Sequence, residues 1–443
     1  MNIKWVKIFK DKQVNIFSSV RIVVLAVAVA CLLVGCSSHK KLTLMPTPVI
    51  YQDSGIDPFA HLTSVHQSTK MQVFYATNRV PAFSDNKIVY GNSLDSTLHL
   101  GKATILMGDP DSIWDDLYQF SLSSEESEPM VLTLEETVEL AVMPTNGLRS
   151  HNSLTPELQR FIDLINADLA QAVDKEIMVY VHGTKVSFAH ATILAAEIDH
   201  FAGRDFVGLA FAWPSHQNIL YYLLGIDVRR ALHSSAALQS LLVLLSEHTM
   251  AEHINILAYS AGCKVASKAL FELRQTYSHL DSKELKEKFR LGAAVFAAAD
   301  VSIDVFDERV MAVSDLAQQV VVTVSDSDNA LKAAKTYMGG ESRAGSIEAE
   351  SLMETFLVDN KISNVEIVDV SFGQDTRGFN IIGHHYWYRH PWMSSDIIFL
   401  MRTDLHPSRR GLSPAEHEGL WYLSSDYPEK IRKAAEAELE GQW

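Results

Sequence analysis

The chain has 443 residues, 47% of them hydrophobic and 21% charged, a balance that excludes intrinsic disorder and allows a large core in one or two domains. Lys and Arg total 38 against 54 Asp and Glu, for a net charge of −16, which argues against a nucleic-acid partner because such binding needs a basic face. The cysteines Cys31, Cys36 and Cys263 are too few for a disulfide framework.

The N-terminus reads as a targeting segment. Lys4, Lys7, Lys10, Lys12 and Arg21 form a basic leader. Residues 22–34 are an unbroken apolar run, too short to span a membrane comfortably and the right length for a signal peptide. The run ends in Leu33-Val34-Gly35-Cys36, which resembles the lipobox of bacterial lipoproteins. That resemblance implies removal of residues 1–35 and lipidation of Cys36. Ser37 follows the cysteine where an aspartate would retain the protein, so it also implies the bacterial cell envelope, at the outer membrane facing the periplasm. Acyl chains would hold the protein to the membrane without a spanning helix; an uncleaved anchor helix is the competing reading. Residues 36–70 carry Ser, His, Lys, Pro and Asp with little periodicity and read as a tether. Cys263 is then left alone and reads as a small packing residue.

The folded body should begin near residue 71. Residues 71–79 and 98–107 read as strands. Residues 109–128 look like a surface excursion, and 130–142 fit a strand or a short helix. Leu158, Phe161, Ile162, Ile165 and Leu169 recur at helical spacing within 155–172. A continuous apolar strand, 177–181, runs into His182-Gly183-Thr184-Lys185. Then come a helix over 187–198, a strand over 206–213 ending in Trp213-Pro214-Ser215, and a helix over 229–245. The apolar residues 219–224 between them suit a lid, an acyl-binding wall or a buried connector equally. Further strands are read at 254–257, 291–298, 320–324 and 365–370, the last of the series, with a helix at 265–273. Residues 406–443 read as a helical tail. Strands alternating with helices predict an α/β fold, a mostly parallel sheet with helices on both faces and a small, partly β portion in front.

Ala258-Tyr259-Ser260-Ala261-Gly262 lies between one such strand and its helix, the layout of a nucleophile elbow. A serine that merely caps a helix would look the same in isolation. A nucleophilic serine needs a histidine base and a carboxylate to orient it, and in this layout they follow in the order serine, acid, histidine. Asp328 stands just past a strand and His384 in a later loop. Asp300 is the rival acid, Asp326 a lesser one, and His385 the rival base. His182-Gly183 after the early strand fits an oxyanion loop, with the backbone N–H groups of Thr184 and Ala261 as donors. His384, His385 and His390 match no zinc spacing, so neither a metal nor a cofactor is expected.

Taken together, Phe74-Tyr75-Ala76-Thr77-Asn78-Arg79, His182-Gly183, Ser187-Phe188, Trp213-Pro214-Ser215, the elbow, Asp328-Asn329-Ala330-Leu331 and Gly383-His384-His385-Tyr386 resemble a group of bacterial α/β-hydrolases of undefined role in the esterase and lipase superfamily. The resemblance covers most of residues 71–402. It implies Ser260 as nucleophile, Asp328 as acid and His384 as base, acting on a small-molecule or lipid ester. Acyl transfer and thioester cleavage use the same three residues, and a non-enzymatic binding role would keep the scaffold without the chemistry. The chain departs from the family at Tyr259, commonly histidine, and at Lys185, often asparagine.

Overall fold

The computed structural model describes residues 41–438 except 53, 85–86, 125–127, 147–153, 326–327, 329, 333–334, 336–341, 346–361 and 372–383. The leader 1–35 and Cys36 therefore lie outside the described residues. One compact body starts at Thr43. From Lys70 on, its strands are β1 (Lys70–Ser84), β2 (Lys87–Met107), β3 (Val131–Pro144), β4 (Glu176–Val181), β5 (Val207–Phe211), β6 (His253–Tyr259), β7 (Leu291–Ala297), β8 (Ala317–Val324), β9 (Val365–Asp369), β10 (Ser413–Pro414) and β11 (Leu420–Tyr422). They lie in one sheet in the order β3-β2-β1-β5-β4-β6-β7-β8-β9-β11-β10. From β1 across to β11 every neighbouring pair is parallel. The pairs β1–β2, β2–β3 and β10–β11 are antiparallel. This is the mostly parallel sheet that the alternating pattern predicted, and the N-terminal β portion continues that sheet as three long antiparallel strands.

Helices cover both faces, and β4 shows why. Its residues alternate in direction. Ile177, Val179 and Val181 join a core cluster with α2 (Pro156–Gln171), α5 (Ile226–His248), α6 (Gly262–Thr276) and α8 (Ile303–Leu316). Tyr180 points the other way, where its ring meets Trp387 of α9 (Tyr386–Arg389) at 5.5 Å between centroids. On that second face lie α3 (Phe188–Phe201) and α10 (Pro391–Thr403). Strands buried on both faces are mostly apolar, and β4 to β8 are, with Asn255, Gln319 and Thr323 among the exceptions.

Three stretches differ from their sequence expectation, and a fourth, 130–142, settles on one of its two alternatives. Residues 109–128 contain a helix, α1 (Trp114–Leu122), started by Asp116, whose carboxylate accepts the Ile113 N–H at 3.0 Å. Only Leu117 and Ser121 of α1 are buried, so no apolar stripe announced it. Residues 130–142 resolve to strand, as β3. The outer half of the expected tether packs: Leu44, Met45, Val49, Ile50, Tyr51, Ile56 and Phe59 are buried. The region after 406 is more than a helical tail, since β10 and β11 extend the sheet beyond β9 before α11 (Tyr427–Glu438) packs with Tyr427, Ile431 and Ala435 buried. Short α4 (Ile219–Leu223) and α7 (Ser282–Phe289) complete the body.

One buried carboxyl of α3 gives the body an alkaline weakness. Glu197 is 3% exposed and its Oε1 accepts the Met45 N–H at 2.7 Å. Burial pushes its carboxyl from 4.5 up to about 8, despite that bond and the charge of Arg389. A carboxyl raised on folding contributes stability that is complete below its unfolded value. That contribution is lost as pH rises toward the folded value, at up to roughly 1.4 kcal/mol per pH unit. Glu197→Gln keeps the acceptor for Met45 without the titration. Thermal melts between pH 5 and pH 9 should show the wild type losing stability more steeply than the variant; parallel curves would dismiss the effect.

Candidate active site

The site begins where β6 ends. Ser260 follows Tyr259 with φ 53°, and α6 starts two residues later at Gly262. A left-handed serine costs about 1–2 kcal/mol, so the neighbouring chain must impose it. It does so through the Ser260 N–H, which donates to Ala297 O at 2.9 Å, and through Ser260 O, which accepts from Cys263 N at 3.1 Å and Asp300 N at 3.2 Å. The turn is locked to the exit of β7.

The turn presents Ser260 Oγ to His384 Nε2 at 2.8 Å, and His384 Nδ1 lies 2.7 Å from Asp328 Oδ2. Ser260 is 4% exposed and Asp328 fully buried. Asp328 Oδ1 accepts the N–H groups of Ala330 and Leu331, both at 3.0 Å, which leaves Oδ2 aimed at the imidazole. His384 is held from behind. The Tyr259 hydroxyl donates to His384 O at 3.0 Å, and the Tyr386 hydroxyl accepts the Ala298 N–H at 2.9 Å. Ser260, His384 and Asp328 therefore converge from three separate connections.

The rivals are engaged elsewhere. Asp300 is buried and pairs with Lys264 at 3.1 Å, with Arg343 at 3.2 Å and with the Tyr222 hydroxyl. Burial alone would raise its carboxyl, but Lys264 and Arg343 outweigh burial and hold it below the usual carboxylate range. Tyr222 belongs to the apolar stretch 219–224, which is thereby anchored inward, while Leu224 stays 71% exposed. His385 Nδ1 lies 2.6 Å from the Tyr259 hydroxyl. Burial, with the charges of His384 and Arg389, pushes its imidazole down to about 3, so it stays neutral. Asp326 lies outside the described residues. Cys263 is buried and its thiol is raised well above the usual range by that burial, which removes it as a nucleophile.

The loop after β4 lies against the elbow. A Cβ at Gly183 would stand 3.1 Å from Ser260 Cβ and 3.1 Å from the Tyr259 ring, so a larger residue would press the loop and the elbow apart. Among the described residues, neither the Thr184 nor the Ala261 N–H has a protein acceptor. The loop is gripped at both ends. His182 stacks on Trp213 at 5.1 Å, and Trp213 Nε1 donates to His182 O at 2.6 Å. Burial and Arg79 hold the His182 imidazole well below the usual range, so it is a neutral packing group. At the other end Ser215 Oγ donates to Val186 O at 2.9 Å and accepts the Val186 N–H at 3.3 Å. From the sequence, Trp213-Pro214-Ser215 reads as structural, shaping the exit of its strand; the ties to His182 and Val186 show how it does so.

Among the described residues one group could hold a cation: Glu176, His253 and Asp404. His253 Nδ1 is 3.2 Å from Glu176 Oε1 and 3.5 Å from Asp404 Oδ2, spacing that an imidazolium between two carboxylates accounts for. Glu176 and His253 open β4 and β6, at the opposite end of those strands from Ser260.

Residues 159–401 match the family described as "Alpha/beta hydrolase of unknown function (DUF900)". That span includes Thr184, Ser260, Ala261, Asp328 and His384. Among curated proteins no match to the chain was found.

Proposed function

The chain belongs to this α/β-hydrolase family of unknown function, and from that premise we propose that it is a serine hydrolase that cleaves a carboxylic ester or related acyl bond. The observation that carries the reading is the run of two short contacts, 2.8 Å from Ser260 Oγ to His384 Nε2 and 2.7 Å from His384 Nδ1 to Asp328 Oδ2. Ser260 Oγ attacks the acyl carbonyl carbon while His384 Nε2 takes its proton. Asp328 keeps the Nδ1–H in place and offsets the charge of the imidazolium. The carbonyl oxygen, now an oxyanion, accepts from the N–H groups of Ala261 and Thr184. Collapse expels the alcohol, which takes the proton from His384. Water attacks the acyl-enzyme by the same route, and no cofactor enters.

The reading extends to location. Cleavage at the lipobox-like sequence leaves Cys36 as a lipidated N-terminus that holds the body at the bacterial envelope. Fatty-acid labelling of the wild type and of Cys36→Ala tests the anchor.

A fluorophosphonate probe tests the chemistry. The soluble form that starts after Cys36 should be labelled, and Ser260→Ala should not. Well-folded wild type that takes no label would turn the reading toward a binding role for the scaffold.

A further inference from the structure

We infer that Arg79 is a positioning residue for the oxyanion loop, a role that rests on the serine-hydrolase reading above. Arg79 is 1% exposed and sits in β1, a strand that supplies none of the reacting groups. Among the described residues no carboxylate touches its guanidinium. Its donors go instead to backbone carbonyls on three other segments, and Nη2 also lies 3.4 Å from His182 Nε2. Nε donates to Ala212 O at 3.1 Å, Nη1 to Gly91 O at 3.0 Å, and Nη2 to Trp213 O at 2.7 Å and Val186 O at 2.9 Å. A planar fork with five donors can hold several carbonyls in fixed directions, which a lysine ammonium cannot.

The carbonyls are not scattered. Val186 closes the loop that carries Gly183 and Thr184. Trp213 grips His182 at the start of that loop through its ring and its indole N–H. One guanidinium thus fixes both the end of the loop and the residue that fixes its beginning. Thr184 lies between those points, and Lys185 after it has φ 63°, so the loop carries backbone strain that outside ties must sustain. The neighbours of Arg79 serve the same frame. Thr77 Oγ1 donates to Ala212 O at 2.6 Å, and Asn78 Nδ2 donates to Ser234 Oγ of α5 at 3.0 Å. The Thr77-Asn78-Arg79 run is polar yet buried because each side chain is spent on a connection leaving β4 or β5, or on the helix behind.

Moving an oxyanion donor by a fraction of an ångström weakens transition-state binding while leaving ground-state binding alone. Arg79→Lys should therefore lower kcat on 4-nitrophenyl acetate by about tenfold or more, with KM within about threefold. The affinity for a phenylboronic acid, whose tetrahedral adduct on Ser260 needs the same donors, should fall in step with kcat. The acid limb of the pH–rate profile, which reports the His384 base, should not move. Arg79 also lines a cleft of about 560 Å³, so added methylguanidinium can enter Arg79→Ala and should restore part of kcat. Arg79→Lys with wild-type kcat, or with lowered kcat and wild-type boronate affinity, overturns the role. If Arg79→Lys fails to fold, Ser215→Ala carries the test, because Ser215 holds the same Val186 backbone. The same selective loss of kcat supports a positioned loop, and unchanged kcat overturns it. Wild-type labelling at Ser260 separates the two possible failures. An unlabelled wild type refutes the hydrolase reading, whereas a labelled wild type beside an unimpaired variant refutes only the part played by Arg79.

Discussion

Asp328→Asn lowers kcat by about 10³–10⁴-fold without unfolding the protein. The amide fits the space, and its oxygen still accepts from Ala330 and Leu331 as Oδ1 does now at 3.0 Å. The NH₂ group then faces His384 Nδ1, where Oδ2 stood at 2.7 Å. An NH₂ group donates, so the imidazole must place its lone pair on Nδ1 and its proton on Nε2. Nε2, 2.8 Å from Ser260 Oγ, can no longer take the serine proton. Steady-state turnover of 4-nitrophenyl acetate at neutral pH measures the loss, and a melt measures the fold. Asp300→Asn provides the contrast. It leaves the tautomer alone but strips the countercharge from Lys264, which is buried. A buried cation without its partner costs about 3–5 kcal/mol, so that variant should lose melting temperature first. Turnover of Asp328→Asn within tenfold of wild type would reject Asp328 as the acid and reopen the case for Asp300.

The sheet was legible because its central strands are buried on both faces and so are written as unbroken apolar runs, as in Ile177-Met178-Val179-Tyr180-Val181. The helices that pack on them repeat at 3.6 residues. Helix α1 carried no such signal, since it buries only one apolar side chain, Leu117. The segment from Leu44 to Phe59 was equally silent. Its buried side chains are spaced by prolines and turns rather than by a helical or strand period, and sequence reading has nothing to count there. For the site, the elbow residues and the chain order of serine, acid and histidine were enough to bring Ser260, Asp328 and His384 forward. The resemblance favours Asp328 over Asp300; the layout alone does not separate them, because both follow a strand. The choice depends on where Lys264 and Arg343 point, which only the packed structure supplies. The same limit hid the use of Arg79. A buried arginine that serves mainly backbone carbonyls leaves no acidic partner in the sequence to betray it.

Gly262→Ala should destabilise the body and silence Ser260 together. The added Cβ would stand 2.5 Å from His182 O, closer still to Val181 O, and 3.0 Å from Val181 C. All three are backbone atoms at the end of β4, which is paired on both edges, to β5 and β6, and has nowhere to retreat. Alanine is the better helix former by about 1 kcal/mol, and that gain is small beside the overlap. Relief can come only by lifting the elbow away from the loop after β4. Overpacking of this kind costs about 1–3 kcal/mol and occasionally more, and the backbone identity of the obstacles puts this position at the upper end. The same displacement separates Ser260 and Ala261 from Gly183 and Thr184, so whatever fraction folds should react slowly with a fluorophosphonate. Gly225→Ala is the matched control. Gly225 has φ 74° with nothing within 4 Å of its would-be Cβ, so it meets strain without a clash. That variant should lose about 1–2 kcal/mol and keep the wild-type labelling rate, because Gly225 is an N-cap of α5 with no part in the elbow. Gly262→Ala that melts with the wild type and labels at the same rate would mean that β4 and the elbow are not packed as closely as these contacts require.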